Sequence, residues 1–214
     1  MDLAKFIDHS ILRPYHTLRD LEEEIKKCIE LGVYGVCVNP FWVKPAKELA
    51  GKSLKVCSTI SFPFGLIPKE QKVYQSLKAM EDGTDELDIV MNVSALKSGL
   101  TGYVREELLT IGRQTEGVIR KVIIETAYLN QEEKRLALEA TLDAGMEFVK
   151  TSTGYAPQGA TEEDVKLLVE ASKGRIRVKA SGGIKRRNEA ERFILLGASR
   201  IGTSSTFSIL TQGE

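Results

Sequence analysis

Seven glycines divide the chain at a nearly regular interval, and that spacing limits the available folds more than any other feature. Gly32, Gly51, Gly83, Gly117, Gly145, Gly174 and Gly197 each close a helix-like stretch and stand a few residues before a β-rich run. A helix commonly stops on a residue in the left-handed region, which glycine enters without a Cβ clash. The interval between successive glycines averages about 27 residues, near the length of one strand–helix unit.

The runs that follow are Gly35–Val38, Lys55–Ile60, Glu86–Val90, Lys121–Ile124, Phe148–Lys150, Ile176–Lys179 and Arg200–Gly202. The stretches between them read as helices. In Lys69–Asp82 the apolar positions Val73, Leu77 and Met80 share a face, and in Gln131–Ala144 Leu136, Ala137, Ala140 and Ala144 do. Thr17 with Asp20, Asn130 with Glu133 and Thr161 with Asp164 have the spacing of helix-starting capping residues. A helix over Leu18–Leu31 needs a strand before it, and Phe6–His9 supplies one, making eight. Alternating strands and helices imply a parallel sheet, and eight units close into a (β/α)8 barrel. The expectation is one catalytic domain over 1–214, with a short N-terminal helical segment and a brief last helix over Ser205–Gln212. An open doubly wound sheet is the alternative, but the G-x-G-x-x-G turn of that fold is missing.

Composition narrows the function classes. Thirty Lys and Arg balance thirty Asp and Glu across 214 residues, so the chain lacks the basic footprint of a nucleic-acid or anionic-membrane partner. No apolar run approaches the ~18 residues of a spanning helix, and the first residues lack the apolar core of a signal peptide. Cys28, Cys37 and Cys57 make an odd number of thiols, which fits a reduced, cytoplasmic compartment. High charge with few Asn and Gln fits a heat-adapted source.

In a barrel of this kind the active site lies at the C-terminal ends of the strands. Asp88 sits inside the apolar fourth strand, Lys150 ends the sixth and Lys179 ends the seventh. A lone strand-end lysine ordinarily reaches for solvent. A carboxylate within an apolar strand is costly unless paired or functional. The sixth and seventh strands are neighbours ~4.8 Å apart, so the two amines can come within about 5–6 Å. Two ammonium groups ~5 Å apart repel by roughly 3 kcal/mol at an effective dielectric near 20. That leaves about a tenth of one amine neutral at pH 7, against a few hundredths of a per cent for a free lysine. Such an amine can attack a carbonyl, and the carboxylate can move protons. The three residues therefore point to Schiff-base chemistry, with solvated strand-end lysines as the plainer reading.

After the seventh strand comes Ala180-Ser181-Gly182-Gly183-Ile184, and after the eighth Gly202-Thr203-Ser204-Ser205. Glycines let backbone N–H groups converge on an anion, and serine hydroxyls add donors. These two loops are the usual phosphate site of the fold, so a small phosphorylated substrate is expected.

Phe148–Gly154, Val178–Ile184, Glu86–Asn92, Arg200–Ser205, Ile7–Leu12, Gly35–Pro40 and Lys121–Thr126, in this register, resemble the deoxyribose-phosphate aldolase family. The resemblance implies a class I, metal-independent lyase without a cofactor. It would cleave 2-deoxyribose 5-phosphate reversibly to glyceraldehyde 3-phosphate and acetaldehyde in deoxyribose catabolism. It implies that Lys150 forms the Schiff base, that Lys179 tunes it and shares in proton transfer, and that Asp88 is the acid–base carboxylate. Thr153 would bond a sugar hydroxyl, and Gly154, Gly182, Gly183, Gly202, Ser204 and Ser205 would surround the phosphate, with Asp8 close by. A homo-oligomer, dimer or tetramer, is implied as well. The chain departs from the family pattern at Ser61, where glycine is expected, at Thr206, also usually glycine, and at Tyr155, where some relatives carry lysine.

The remaining chemistry-bearing residues read as structural. His9 beside Asp8 is expected to be a bonded core histidine, and His16 a surface one. Two histidines and scattered cysteines offer no zinc-ligand spacing. Cys37 is expected in the core, with a reaction toward a product aldehyde as the alternative, and Trp42 beside Phe41 reads as packing. A non-catalytic sugar-phosphate-binding barrel would keep the loops, but binding alone does not need Asp88, Lys150 and Lys179. A Schiff-base aldolase with another donor would keep all three.

Overall fold

Eight strands pair in parallel in chain order: β1 (Ile7–Ile11), β2 (Gly35–Val38), β3 (Lys55–Ile60), β4 (Glu86–Val90), β5 (Ile119–Ile123), β6 (Phe148–Lys150), β7 (Arg177–Ser181) and β8 (Arg200–Thr203). Pairing of β8 with β1 closes the barrel in a computed structural model that describes residues 1–211. The helices are α1 (Leu18–Glu30), α2 (Val43–Ala50), α3 (Lys69–Glu81), α4 (Val93–Lys97), α5 (Thr101–Gln114), α6 (Gln131–Asp143), α7 (Glu162–Ser172), α8 (Arg187–Leu195) and α9 (Thr206–Thr211). The expected (β/α)8 barrel is the observed fold.

All seven spacer glycines have positive φ, between 54° and 103°. Thr17 and Asn130 form full capping boxes with Asp20 and Glu133, and Thr161 accepts from the Asp164 N–H at 3.0 Å. The first strand starts one residue later than expected, because Leu3–Phe6 form a 3-10 turn that serves as the short N-terminal helical segment. The last helix begins at Thr206 rather than Ser205, and Gln212 lies outside the described residues.

Two helix faces differ from the expected ones. α3 turns Lys72, Ser76 and Ala79 inward and leaves Leu77 41% exposed. The reason is polar: Lys72 is buried because its amine meets Glu107 of α5, so the inward stripe contains a lysine that hydropathy reads as surface. On α6 the inward residues are Ala137, Leu138, Ala140 and Thr141, and Leu136 is 38% exposed.

The barrel separates two interiors. Leu87 and Ile89 of β4, Val122 of β5, Val149 of β6 and Val178 of β7 face outward into an apolar core shared with the helices. Burying one such side chain contributes roughly 1.5–3 kcal/mol, and Leu87→Ala would cost about 2–5 kcal/mol through the cavity left behind. Alternation then turns Glu86 and Asp88 into the barrel. Register sets Asp88 opposite Lys121, Lys150 opposite Lys179, and Asp8 opposite Gly202. The inside of this barrel is therefore ionic where aliphatic layers are usual.

Candidate active site

Asp88 is the hub of the ionic interior. Its Oδ2 accepts from Lys150 Nζ at 2.6 Å and from Lys179 Nζ at 2.9 Å, and its Oδ1 accepts from Lys121 Nζ at 2.8 Å. Lys179 also donates to Asp8 Oδ2 at 2.5 Å, and Arg200 donates to Asp8 Oδ1 at 2.8 Å. Lys121 lies 2.5 Å from Glu86 Oε2, and Tyr34 donates its hydroxyl to Glu86 Oε1 at 2.8 Å. None of the seven charged residues is more than 5% exposed. Charges this deep survive only when paired and hydrogen-bonded. Three carboxylates here meet four basic side chains.

The protonation states follow from those pairings. Burial alone would raise Asp88, but Lys121, Lys150 and Lys179 outweigh it and hold the carboxyl well below its ordinary range. Asp8 is likewise opposed by burial, yet Lys179 and Arg200 bring it down to about 2. Lys179 is pulled down by burial and lifted more strongly by Asp8 and Asp88, so it stands above an ordinary lysine. Lys121 behaves the same way, with Asp88 the main lifting charge. The expectation of two bare ammonium groups repelling each other is thus incomplete. Lys150 and Lys179 share one carboxylate oxygen, which offsets their repulsion. Lys179 is the amine fixed as a cation.

Lys150 also lines a cavity of about 290 Å³ that opens at the C-terminal ends of β6, β7, β8 and β1. Thr153, Gly154, Gly182, Gly183, Gly202, Ser204 and Ser205 all border it, so the structure brings every sequence-predicted substrate residue to one chamber. Two glycines there are required sterically. At Gly182, φ is +85° and the Gly159 Cα comes within 3.1 Å of where a Cβ would stand. A Cβ on Gly202 would come within 2.9 Å of Ser181 Cβ and 3.1 Å of Lys179 Cε. Arg13 and Lys185 border the chamber too, and they supply positive charge for an anion.

A second cavity, of about 420 Å³, lies beside the first over β4 and β5 and is mostly apolar, with Pro63, Phe64, Leu66, Val90 and Val93 in its wall. Thr153 and Tyr155 border both chambers.

The departures from the family pattern acquire local reasons. Ser61 keeps the glycine-like backbone, at φ 55°, and its N–H donates to Gln75 Oε1 at 2.9 Å. Thr206 Oγ1 lies 2.9 Å from His9 Nδ1, while His9 Nε2 lies 2.6 Å from Glu24. His9 therefore ties β1 to α1 and α9, as expected of a structural histidine. Tyr155 donates its hydroxyl to the Leu12 carbonyl at 3.1 Å, and the Arg13 guanidinium lies 5.6 Å from its ring centre. Trp42 packs half-buried against the core, edge-on to Phe41.

Sequence reasoning missed Lys121, Glu86, Arg200, Arg13, Lys185, Glu125 and Cys57. Glu86 and Lys121 carried the signal used for Asp88, an ionisable residue inside an apolar strand. The cysteines treated as scattered are partly brought together: Cys37 and Cys57 stand in register, with Cys57 Sγ 3.1 Å from Asp88 Oδ1. Cys37, Cys57 and Asp88 could reach one metal ion, but the three amines already on Asp88 oppose a cation there.

Comparison with known proteins agrees with this geometry. The family model described as "DeoC/LacD family aldolase" matches residues 3–198. The deoxyribose-phosphate aldolase of Aquifex aeolicus is 49% identical, covering 98% of this chain and 95% of its own. A solved structure described as "QR15, an Aldolase" superposes with a TM-score of 0.95 at 48% identity, covering 98% of this chain and 95% of that one. The tetrameric deoxyribose phosphate aldolase of Aeropyrum pernix has a TM-score of 0.91 at 32% identity, covering 97% and 89% of the two chains.

Proposed function

The chain belongs to the DeoC/LacD family of aldolases, and from that membership we propose that it is a class I aldolase that reversibly cleaves 2-deoxyribose 5-phosphate to glyceraldehyde 3-phosphate and acetaldehyde. The observation that carries the mechanism is the sharing of one oxygen, Asp88 Oδ2, by the amines of Lys150 and Lys179.

Lys150 is the nucleophile in this reading, because of the two sharing amines it is the one that borders the substrate cavity. Asp88 stands 2.6 Å away, within reach of the proton the amine must give up. The neutral amine adds to C1 of the open-chain sugar, and loss of water gives an iminium. Acetaldehyde carries two carbons, so the bond that breaks is C2–C3. Its electron pair moves toward the iminium and leaves an enamine. The C3 hydroxyl gives its proton to the Asp88–Lys179 pair, directly or through water, and becomes the aldehyde of the three-carbon product. Lys179 returns a proton to C2 of the enamine, and water then hydrolyses the second iminium to free acetaldehyde and Lys150. The phosphate, held by the loops after β7 and β8, is remote from the breaking bond, so its binding energy positions the chain of carbons.

The same reading takes 1–214 as one catalytic domain and the protein as a homo-oligomer in the cytoplasm. Three buried free thiols and the absence, among the described residues, of a helix long and apolar enough to cross a membrane support the location. The tetrameric relative supports the assembly.

Borohydride reduction with 2-deoxyribose 5-phosphate, followed by peptide mass mapping, tests the chemistry. A substrate-dependent adduct on the Lys150 peptide, lost in Lys150→Ala, is expected. A folded protein that binds the sugar phosphate yet yields no adduct would make this a binding barrel.

A further inference from the structure

Glu125, a buried carboxylate in the wall of the second, apolar chamber, is left unused by the reaction. It stands two residues past the end of β5, with φ at 51°, a left-handed backbone that costs an ordinary residue of order 1–3 kcal/mol. Of the other two non-glycine residues with positive φ, Lys173 ends a helix and Ser61 occupies a position where the family pattern has glycine. Glu125 instead lines the second chamber and meets Thr153, which borders both. The residue is 4% exposed.

Its partner is Thr153, the residue expected to meet a sugar hydroxyl. The Thr153 N–H lies 3.2 and 3.3 Å from the two carboxylate oxygens, and the Thr153 hydroxyl donates to Oε2. The Tyr155 N–H donates into Thr153 Oγ1 at 3.1 Å. A threonine hydroxyl has one proton and two lone pairs. Here the proton is committed to Glu125 and one lone pair to Tyr155, so only the second lone pair is left for a ligand.

We propose that Glu125 is a specificity-determining residue that fixes Thr153 as a pure hydrogen-bond acceptor, so that the site selects aldehyde phosphates whose hydroxyl beside the carbonyl can donate to it. The inference deepens the aldolase reading and rests on it. A site built to pair with a substrate hydroxyl discriminates strongly against the analogue lacking it, because a buried polar atom is then left unpaired.

The test runs the reaction in the direction of addition, with acetaldehyde as donor. Two acceptors are compared: glyceraldehyde 3-phosphate and 3-phosphooxypropanal, which lacks the hydroxyl. The wild-type protein should prefer the first by about tenfold or more in kcat/KM. Glu125→Met, which keeps an unbranched stem on the left-handed backbone, should bring the ratio to within about threefold of unity, mainly through KM for the hydroxylated acceptor. Thr153→Val should do the same, and adding Glu125→Met to it should change the ratio no further. A role confined to shaping the loop would depress both acceptors together and leave the ratio standing, which overturns the proposal. So does a ratio near one in the wild-type protein, whether or not the variants fold. Borohydride trapping of acetaldehyde alone on wild-type Lys150 separates the two readings. No adduct there removes the aldolase mechanism, whereas an adduct with an unaltered ratio removes only the role of Glu125.

Discussion

Lys179 Nζ and Asp8 Oδ2 lie 2.5 Å apart, joining the middle of β7, which runs two residues past the expected end at Lys179, to β1 on the far side of β8. This bond makes Lys179 a fixed cation, which suits the proton-donor role proposed for it better than that of a second nucleophile. It also sets Asp8 between two positive partners, since Arg200 binds its other oxygen at 2.8 Å. The buried carboxylates Asp88 and Asp8 thus hold one lysine from two sides.

The first prediction concerns Asp8 and acid. Its folded-state value is about 2 against an ordinary 3.8. A depressed carboxyl binds protons more readily in the unfolded chain, so it stabilises the fold above pH ~4 and loses that contribution as pH falls through ~2. The difference corresponds to roughly 2 kcal/mol. Asp8→Asn also strands Lys179 and Arg200, so it should destabilise by about 3–5 kcal/mol at pH 7. Urea unfolding at pH 7, 4 and 2.5 should show the gap from wild type narrowing only below pH 4. A gap independent of pH would mean that Asp8 is not charged in the folded protein.

Lys179→Leu separates its role from that of Lys150. The variant removes the proposed proton donor and leaves Lys121 and Lys150 on Asp88. Cleavage should slow by about 10²–10⁴-fold. Borohydride should still trap acetaldehyde on Lys150. If trapping is lost together with turnover, Lys179 acts in forming the iminium and not only in moving protons.

How much of this was legible in the sequence follows from what each kind of residue signals. Left-handed glycines and capping pairs are local, so the unit length and most strand positions were readable. Asp88, Lys150 and Lys179 were readable because charge within or ending an apolar strand is conspicuous. Lys72 was not: it lies in a charged helix, and its burial depends on Glu107, 35 positions away. The same holds for Arg200 and Asp8, which pair across 192 positions where the barrel closes. The charge-offsetting position of Asp88 between two amines required the register of β4, β6 and β7 together. No motif encodes that.

Arg13 is predicted to carry the phosphate charge that some relatives place at the position of Tyr155. Its guanidinium faces the Tyr155 ring, and both residues border the chamber that also holds Lys150. Arg13→Ala should raise KM for 2-deoxyribose 5-phosphate by about tenfold, the value of one charge-assisted hydrogen bond, with little change in kcat. Adding Tyr155→Lys to that variant should recover most of the loss. Steady-state kinetics decide the matter, and an unchanged KM in Arg13→Ala assigns the phosphate to Lys185 and the backbone alone.

The ion pair between α3 and α5 should prove dispensable as a pair but not by halves. Lys72 Nζ donates to Glu107 Oε2 at 2.8 Å and to the Val90 carbonyl at 2.9 Å, with both side chains fully buried. Glu107 Oε1 has no partner among the described residues. Burial pulls Lys72 down and pushes Glu107 up, each against the attraction of the other. Desolvation of two such groups is comparable to their attraction, so replacing both by apolar side chains of similar size is often neutral or stabilising by about 1–4 kcal/mol. Lys72→Met alone strands the carboxylate and should cost about 3–5 kcal/mol. The double variant Lys72→Met with Glu107→Leu should recover that loss, read as the urea midpoint at constant m-value. The Val90 carbonyl stays without its donor in both variants, so its cost cancels in the comparison. A double variant as unstable as the single one would mean that the attraction exceeds the desolvation, and that this pair stabilises the fold outright.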